Sequence, residues 1–280
     1  MGDVPLFVPP GHFYSPITDP VDVDLHLARQ AARGVSDRLP GIALDRSAMA
    51  GLWQQLVPLM ASAAFPEEPG PGHRYAFVNP AYSWGDGSVL HAMIRRFRPR
   101  HFIEIGSGWS SACTMDTVDK WLAGDCRLTF IEPHPALLKS LLGPSAVKVT
   151  ILAKPVQEVP LETFDVLESG DILFIDSTHV LRTGSDVWFE LCEILPRLRP
   201  GVIVHVHDMF WPFEYPRSWS VDANRSWNEV YAVRALLTDT RSWEILLFND
   251  YMAHFEHALI SDTYPTFLRN TGGALWLRRS

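Results

Sequence analysis

The chain has 280 residues, 47% of them hydrophobic and 20% charged, a balance that belongs to a globular protein rather than a disordered or fibrous one. Acidic residues outnumber basic ones by 32 to 24, for a formal net charge of −8, which argues against nucleic acid as a partner because proteins that track phosphates carry a basic excess or stripe. Cys113, Cys126 and Cys192 form no CxxC pair, so neither a disulfide framework nor a zinc pattern is written here, as suits a reducing cytoplasm. The first ten residues lack the basic-then-apolar order of a signal peptide, and Leu6 stands where a myristoylation motif wants Ser or Thr. No apolar run would span a bilayer. The expectation is a cytoplasmic protein with no membrane partner.

Residues 1–22 hold five prolines and read as an irregular arm. Helical spacing follows at 23–33 and again at 45–64. A Pro/Gly stretch at 66–72 then breaks the chain, dividing an arm and helical cap (1–72) from a main domain (73–280). Residues 88–97 read as a helix leading into a first strand, HFIEI (101–105), with a helix opening near Ser110. A second strand, LTFIE (128–132), precedes a helix at 135–142. Strands at 147–152 and 171–176 come next, then a long amphipathic helix at 184–198 and a fifth strand, GVIVHVHD (201–208). A helix at 224–237 and strands at 242–249 and 272–279 end the chain, with no clear helical crossover in 250–269. Strands alternating with helices imply parallel pairing with helices on both faces. The last pair, lacking a crossover, implies an antiparallel edge. The fold class is therefore α/β: a Rossmann-like, seven-stranded, mostly parallel sheet with an antiparallel final strand and an N-terminal helical cap.

The strongest motif is the stretch FIEIGSGWSS (102–111), an apolar strand ending in Gly106-Ser107-Gly108 just before a helix. Glycine permits a tight turn and lets a ligand approach with no Cβ in the way, and the helix start adds unpaired N–H donors. Glu104 sits two residues before Gly106. A carboxylate there repels a pyrophosphate and attracts the ammonium of an amino acid, unless it merely caps the helix or faces the surface. Glu132 closes the second strand, where it can accept hydrogen bonds from ribose hydroxyls. Ser111 replaces the third glycine of a dinucleotide fingerprint. A nucleoside joined to a cationic group, the chemistry of S-adenosylmethionine (SAM), suits such a pocket.

The EIGSG turn, followed by an acid after the second strand, resembles motifs I and II of the class I SAM-dependent methyltransferases. The terminal helix–strand–strand order resembles that family too, and the likeness covers roughly 75–280. GHFYSP (11–16) and WNEVYAVRALL (227–237) resemble a bacterial small-molecule branch of it. The resemblance implies that Gly106 and Gly108 line the methionine portion, that Glu132 binds the ribose and that residues 153–156 flank the adenine. Ser107 and Asp176 complete the cofactor-facing set.

Ligands bind open parallel sheets at the carboxyl ends of the strands. The fourth strand runs out into Asp176 and His179, the fifth into His205, His207 and Asp208. Alternation puts His205 and His207 on one face. Two readings stay open. In the first, Asp176 and Asp208 hold a divalent cation, a pattern that resembles the catechol- and caffeoyl-CoA-type O-methyltransferases. Met209 stands where that family usually has an Asn ligand, and His179 or His207 could substitute, favouring a softer metal. In the second, no metal is needed and His207 or His179 is the general base, with Asp208 beside it. His205, deeper in the strand, reads as a histidine that only satisfies hydrogen bonds.

Residues 209–219 hold five aromatics in eleven positions directly after Asp208, with too many prolines for a helix. Such walls bind flat or apolar acceptors, or an ammonium by cation–π attraction. The expected activity is methyl transfer from SAM to an oxygen, less readily a nitrogen, of a small-molecule acceptor. The rival readings are an NAD(P)-dependent oxidoreductase on a related sheet and a non-catalytic SAM-binding protein. An exposed insertion at 250–269 would leave room for a homo-oligomer contact.

Overall fold

A computed structural model describes residues 6–143 and 148–280; the expected strand start at Val147 and the first five residues of the arm lie outside the described residues. Seven strands form one sheet: β1 (His101–Ile105), β2 (Arg127–Ile131), β3 (Val149–Leu152), β4 (Ile172–Ile175), β5 (Ile203–Val206), β6 (Trp243–Phe248) and β7 (Leu275–Arg279). Their order is β3-β2-β1-β4-β5-β7-β6. The first five run parallel, while β7 is antiparallel to both β5 and β6. The expected Rossmann-like sheet with an antiparallel end is what forms.

Nine α-helices surround the sheet among the described residues: α1 (Pro20–Arg33), α2 (Arg46–Ala61), α3 (Trp84–Phe97), α4 (Trp109–Trp121), α5 (Ala136–Leu141), α6 (Asp186–Phe189), α7 (Glu229–Leu237), α8 (Asn249–Phe255) and α9 (His257–Thr263). Local chemistry sets their starts. Asp19 accepts a hydrogen bond from the Val21 amide ahead of α1, with Pro20 in the first turn, and Asp45 accepts from the Ala48 amide ahead of α2. α3 packs between α2 and α4, and α1 packs on a π-helical turn at Ser218–Asp222.

Three sequence expectations need correction. The helix expected over 184–198 is broken into α6, a π-helical turn at Glu190–Ile194 and a 3-10 turn at Leu195–Arg197. Pro196 removes an amide donor inside it, and the wide turn carries the buried Glu190 toward Ser177, whose hydroxyl donates to it at 3.0 Å. Residues 250–269 are no exposed insertion: they form α8, α9 and a 3-10 turn at Pro265–Arg269, burying Tyr251, Met252, Ile260 and Phe267. Trp53 of α2 meets Phe267 edge-on at 5.0 Å and donates its indole N–H to Thr263. Short helical pieces of one or two turns carry too little periodicity to be read from spacing. The helix expected at 224–237 starts only at Glu229, and 224–226 belong to a tight loop in which Asn224 and Ser226 have φ of 47° and 38°.

Candidate active site

Sheet register lines up the functional positions. Ile131, Ile105, Ile175 and Val206 are successive partners across β2, β1, β4 and β5, so Glu132, Gly106, Asp176 and His207 emerge side by side one residue later. The row lies at the carboxyl ends of the strands, where the strand order turns back between β1 and β4. Ligands enter open α/β sheets at such a point.

The glycine turn is there for contact as well as curvature. Gly106 has φ of 77°, and a Cβ on it would stand 1.7 Å from the Asp176 carbonyl oxygen. No other residue allows the end of β1 to lie this close to the end of β4. In front of the turn opens a cavity of about 360 Å³, bounded by Gly106, Glu132, Val156, Asp176 and Ser185 among others. Glu132 is pinned there by two backbone donors, the Ser107 amide at 3.2 Å and the His134 amide at 2.7 Å. Pro155 and Val156 form the wall at the position expected to flank adenine. Gly108 sits at the start of α4, its amide donating to the Ser111 hydroxyl.

Glu104 is fully buried behind this turn. One carboxylate oxygen accepts from the Ser110 hydroxyl at 2.6 Å and the Ser111 hydroxyl at 2.9 Å, both in the first turn of α4, while the other oxygen has no partner. Burial pushes its pKa up to about 8, against the two serine hydrogen bonds. It both ties the helix start and keeps an unsatisfied oxygen, two uses the sequence reading had set apart.

Across Asp176 lies a second cavity of about 440 Å³, reaching Asp86, His207, Asp208, Phe210, Trp219 and Arg225. Asp176 borders both cavities. Ligand atoms of Asp176, His179 and Asp208 lie within 4.8 Å of one another. His179 Nε2 is 3.5 Å from Asp176 Oδ1 and 3.3 Å from Asp208 Oδ2, while its Nδ1 is held at 2.8 Å by the buried Glu229. His179 and Asp208 are both left-handed, with φ of 61° and 56°, a cost of about 1–3 kcal/mol each that clusters at functional sites.

The field at this end is acidic. Burial holds Asp86 up at about 7, with Asp208 adding to the shift and His207 opposing it. Burial would lower His179, yet Asp176 and Glu229 outweigh it and push the imidazole up to about 11. His207 rises for a similar reason: burial is outweighed by Asp208, Asp176 and Asp86. Burial also raises Asp176, but His207 and His179 bring it below its ordinary value.

His205 departs from its expected role. Neither ring nitrogen has a hydrogen-bond partner; the ring stacks on Phe174 at 4.0 Å and lies 4.6 Å from Trp276. Burial holds its pKa well below the usual value, so it is a neutral packing ring. Sequence reasoning also missed Asp86, Glu229 and Trp227. An acid between two glycines at a helix start was the available signal for Asp86. Glu229 lies in the WNEVYAVRALL segment without any feature of spacing to mark it. Trp227 lies 4.5 Å from the His179 ring.

Residues 103–209 match a family described as a methyltransferase domain. The stretch from β1 to just past β5 is therefore similar to a methyltransferase domain. The strand order and the acid-flanked glycine turn agree with that description. A protein of Archaeoglobus fulgidus, described as uncharacterized, is 28% identical over 174 residues, 61% of this chain and 78% of its own. Among solved structures, a methyltransferase of Podospora anserina bound to S-adenosylhomocysteine (SAH) is similar over 99% of this chain and 100% of its own, at 13% identity and a TM-score of 0.42. The O-methyltransferase TomG of Streptomyces achromogenes, involved in tomaymycin synthesis and solved with SAM, is similar over 92% of this chain and 96% of its own, at 15% identity and a TM-score of 0.44. No helix among the described residues is long and apolar enough to cross a membrane.

Proposed function

We propose that this chain is a SAM-dependent methyltransferase acting on an oxygen of a small-molecule acceptor, with SAM in the 360 Å³ cavity, the acceptor in the 440 Å³ cavity and a divalent cation between Asp176, His179 and Asp208. The observation that carries the proposal is the meeting of the two cavities at Asp176, beside three converging ligand atoms. SAM supplies a methyl group on a sulfonium, and bringing it in line with an oxygen is mainly a matter of position. Glu132, fixed by two amides, keeps lone pairs for ribose hydroxyls. The unpartnered oxygen of Glu104, buried behind the turn and outside the cavity lining, would meet the ammonium group of SAM once that cation draws the carboxyl to ionise.

Two carboxylates and an imidazole are a donor set for a divalent ion, and the imidazole moves the preference toward softer metals. Glu229 on His179 Nδ1 fits the outer partner that orients a metal-ligating histidine. A cation there would hold an acceptor hydroxyl as its anion. His179, clasped by carboxylates on both nitrogens, is badly placed to accept a proton. The metal-free reading therefore rests on His207, whose Nδ1 has no partner and which lines the acceptor cavity with Asp208.

Calorimetry with SAH and NADH, followed by turnover with and without a chelator, tests this. SAH should bind and NADH should not; EDTA should abolish methylation, and a divalent ion should restore it. Turnover that survives EDTA gives the site to His207 as base.

A further inference from the structure

The acceptor cavity has an acidic floor, formed by Asp86, Asp176 and Asp208, and a single basic group at its rim, Arg225. That arginine is held in an unusual way. Its guanidinium carbon lies 4.5 Å from the Trp219 ring centroid and 4.7 Å from that of Trp227, and the two indoles meet edge-on at 5.5 Å. Trp227 in turn touches His179, so the rim and the catalytic end share one aromatic wall. The backbone around Arg225 is fixed too. Its amide donates to the Trp219 carbonyl at 3.0 Å, left-handed residues flank it, and the Ser226 hydroxyl accepts from the Thr18 amide at 3.2 Å. Arg217 nearby is engaged by Asp24 and Asp222. Arg225, by contrast, has no carboxylate partner among the described residues, although its charge reaches Asp208.

A guanidinium stacked on indoles is pre-organised to present its planar fork, and that fork matches a carboxylate. The same stacking already satisfies one face of Trp219, the indole of this aromatic stretch that lines the cavity, with a cation. The acidic floor repels further negative charge deep in the cavity, so the anion belongs at the rim. We propose that the acceptor is a flat hydroxylated carboxylic acid, its carboxylate on Arg225 and its hydroxyl directed at Asp208 and His207. This rests on the methyl-transfer reading above and adds the acceptor class to it.

The test uses the SAH-loaded protein and calorimetry with a series of hydroxybenzoates and hydroxycinnamates, each paired with its uncharged methyl ester. At least one acid should bind wild type about tenfold or more tightly than its ester. In Arg225→Gln that preference should shrink to about twofold or less, with SAH affinity unchanged. If no acid outbinds its ester, or if the preference survives in Arg225→Gln, the inference is wrong although methyl transfer stands. Failure of wild type to bind SAH would instead remove the methyl-transfer reading, and this inference with it.

Discussion

The two cavities that meet at Asp176 are built on different principles. The cofactor side follows the parallel strand ends: Gly106 after β1, Glu132 after β2, Val156 after β3 and Asp176 after β4, with the glycine turn as its local motif. The acceptor side is assembled from distant pieces, with Asp86 on α3, Asp208 after β5, Arg225 before α7 and Gly272 ahead of β7. Its closeness is severe: a Cβ on Gly272 would stand 2.0 Å from the Asp86 carboxylate. A local motif keeps its geometry when the rest of the chain varies, whereas a composite wall can change what it accepts through a single loop. This division suits an enzyme with a constant donor and an adjustable acceptor.

The largest effect should come where the two sides touch the reacting end. Asp208→Ala is expected to lower turnover by about 10²–10⁴ while SAH affinity stays within a few-fold. Turnover near wild type would show that the acceptor side holds no catalytic acid at that position. On the cofactor side, Gly106→Ala drives a methyl group into the Asp176 carbonyl and enforces a left-handed alanine. A stability loss of about 2–4 kcal/mol is expected from overpacking and strain, read by urea denaturation, with loss of SAH binding. An unchanged midpoint would mean the contact between the ends of β1 and β4 is not rigid.

A smaller effect separates positioning from ligation. Glu229→Gln keeps the shape but weakens the hold on His179 Nδ1, and a metal titration should show affinity falling by about 10–100-fold, with SAH binding untouched. Equal metal affinity would confine Glu229 to packing.

The subtlest effect is in pH dependence. Glu104 is raised from an ordinary value near 4.5 to about 8 in the folded protein. As pH climbs through that window the unfolded chain ionises first, so the ligand-free fold loses stability between those values and levels off above them. Glu104→Gln should flatten that slope in thermal melts and raise the melting temperature near pH 8, at the expense of SAH affinity. Identical slopes in the two proteins would show that Glu104 is not held protonated.

The same contrast explains what could be read in advance. The sheet was legible because its strands are short apolar runs that end in glycine or acid, and because the parallel crossovers carry helices. Glu132, Asp176 and Asp208 stood out because each closes such a run. Glu229 and Arg225 did not, since their meaning depends on neighbours brought in by folding: Glu229 matters through His179, fifty positions earlier, and Arg225 through Trp219 and Trp227. Glu104 was readable as an acid beside the turn, but its serine partners and its burial needed coordinates. The helical nature of 250–269 was hidden for another reason, because α8 and α9 span only seven residues each.

The bond between Thr18 and Ser226 joins chain positions 208 residues apart. It has a practical side. The N-terminal arm therefore braces the loop that displays Arg225, so affinity tags are better placed at the far terminus when acceptor preference is being screened, and Thr18→Ala offers a handle for retuning that preference without touching the pocket itself.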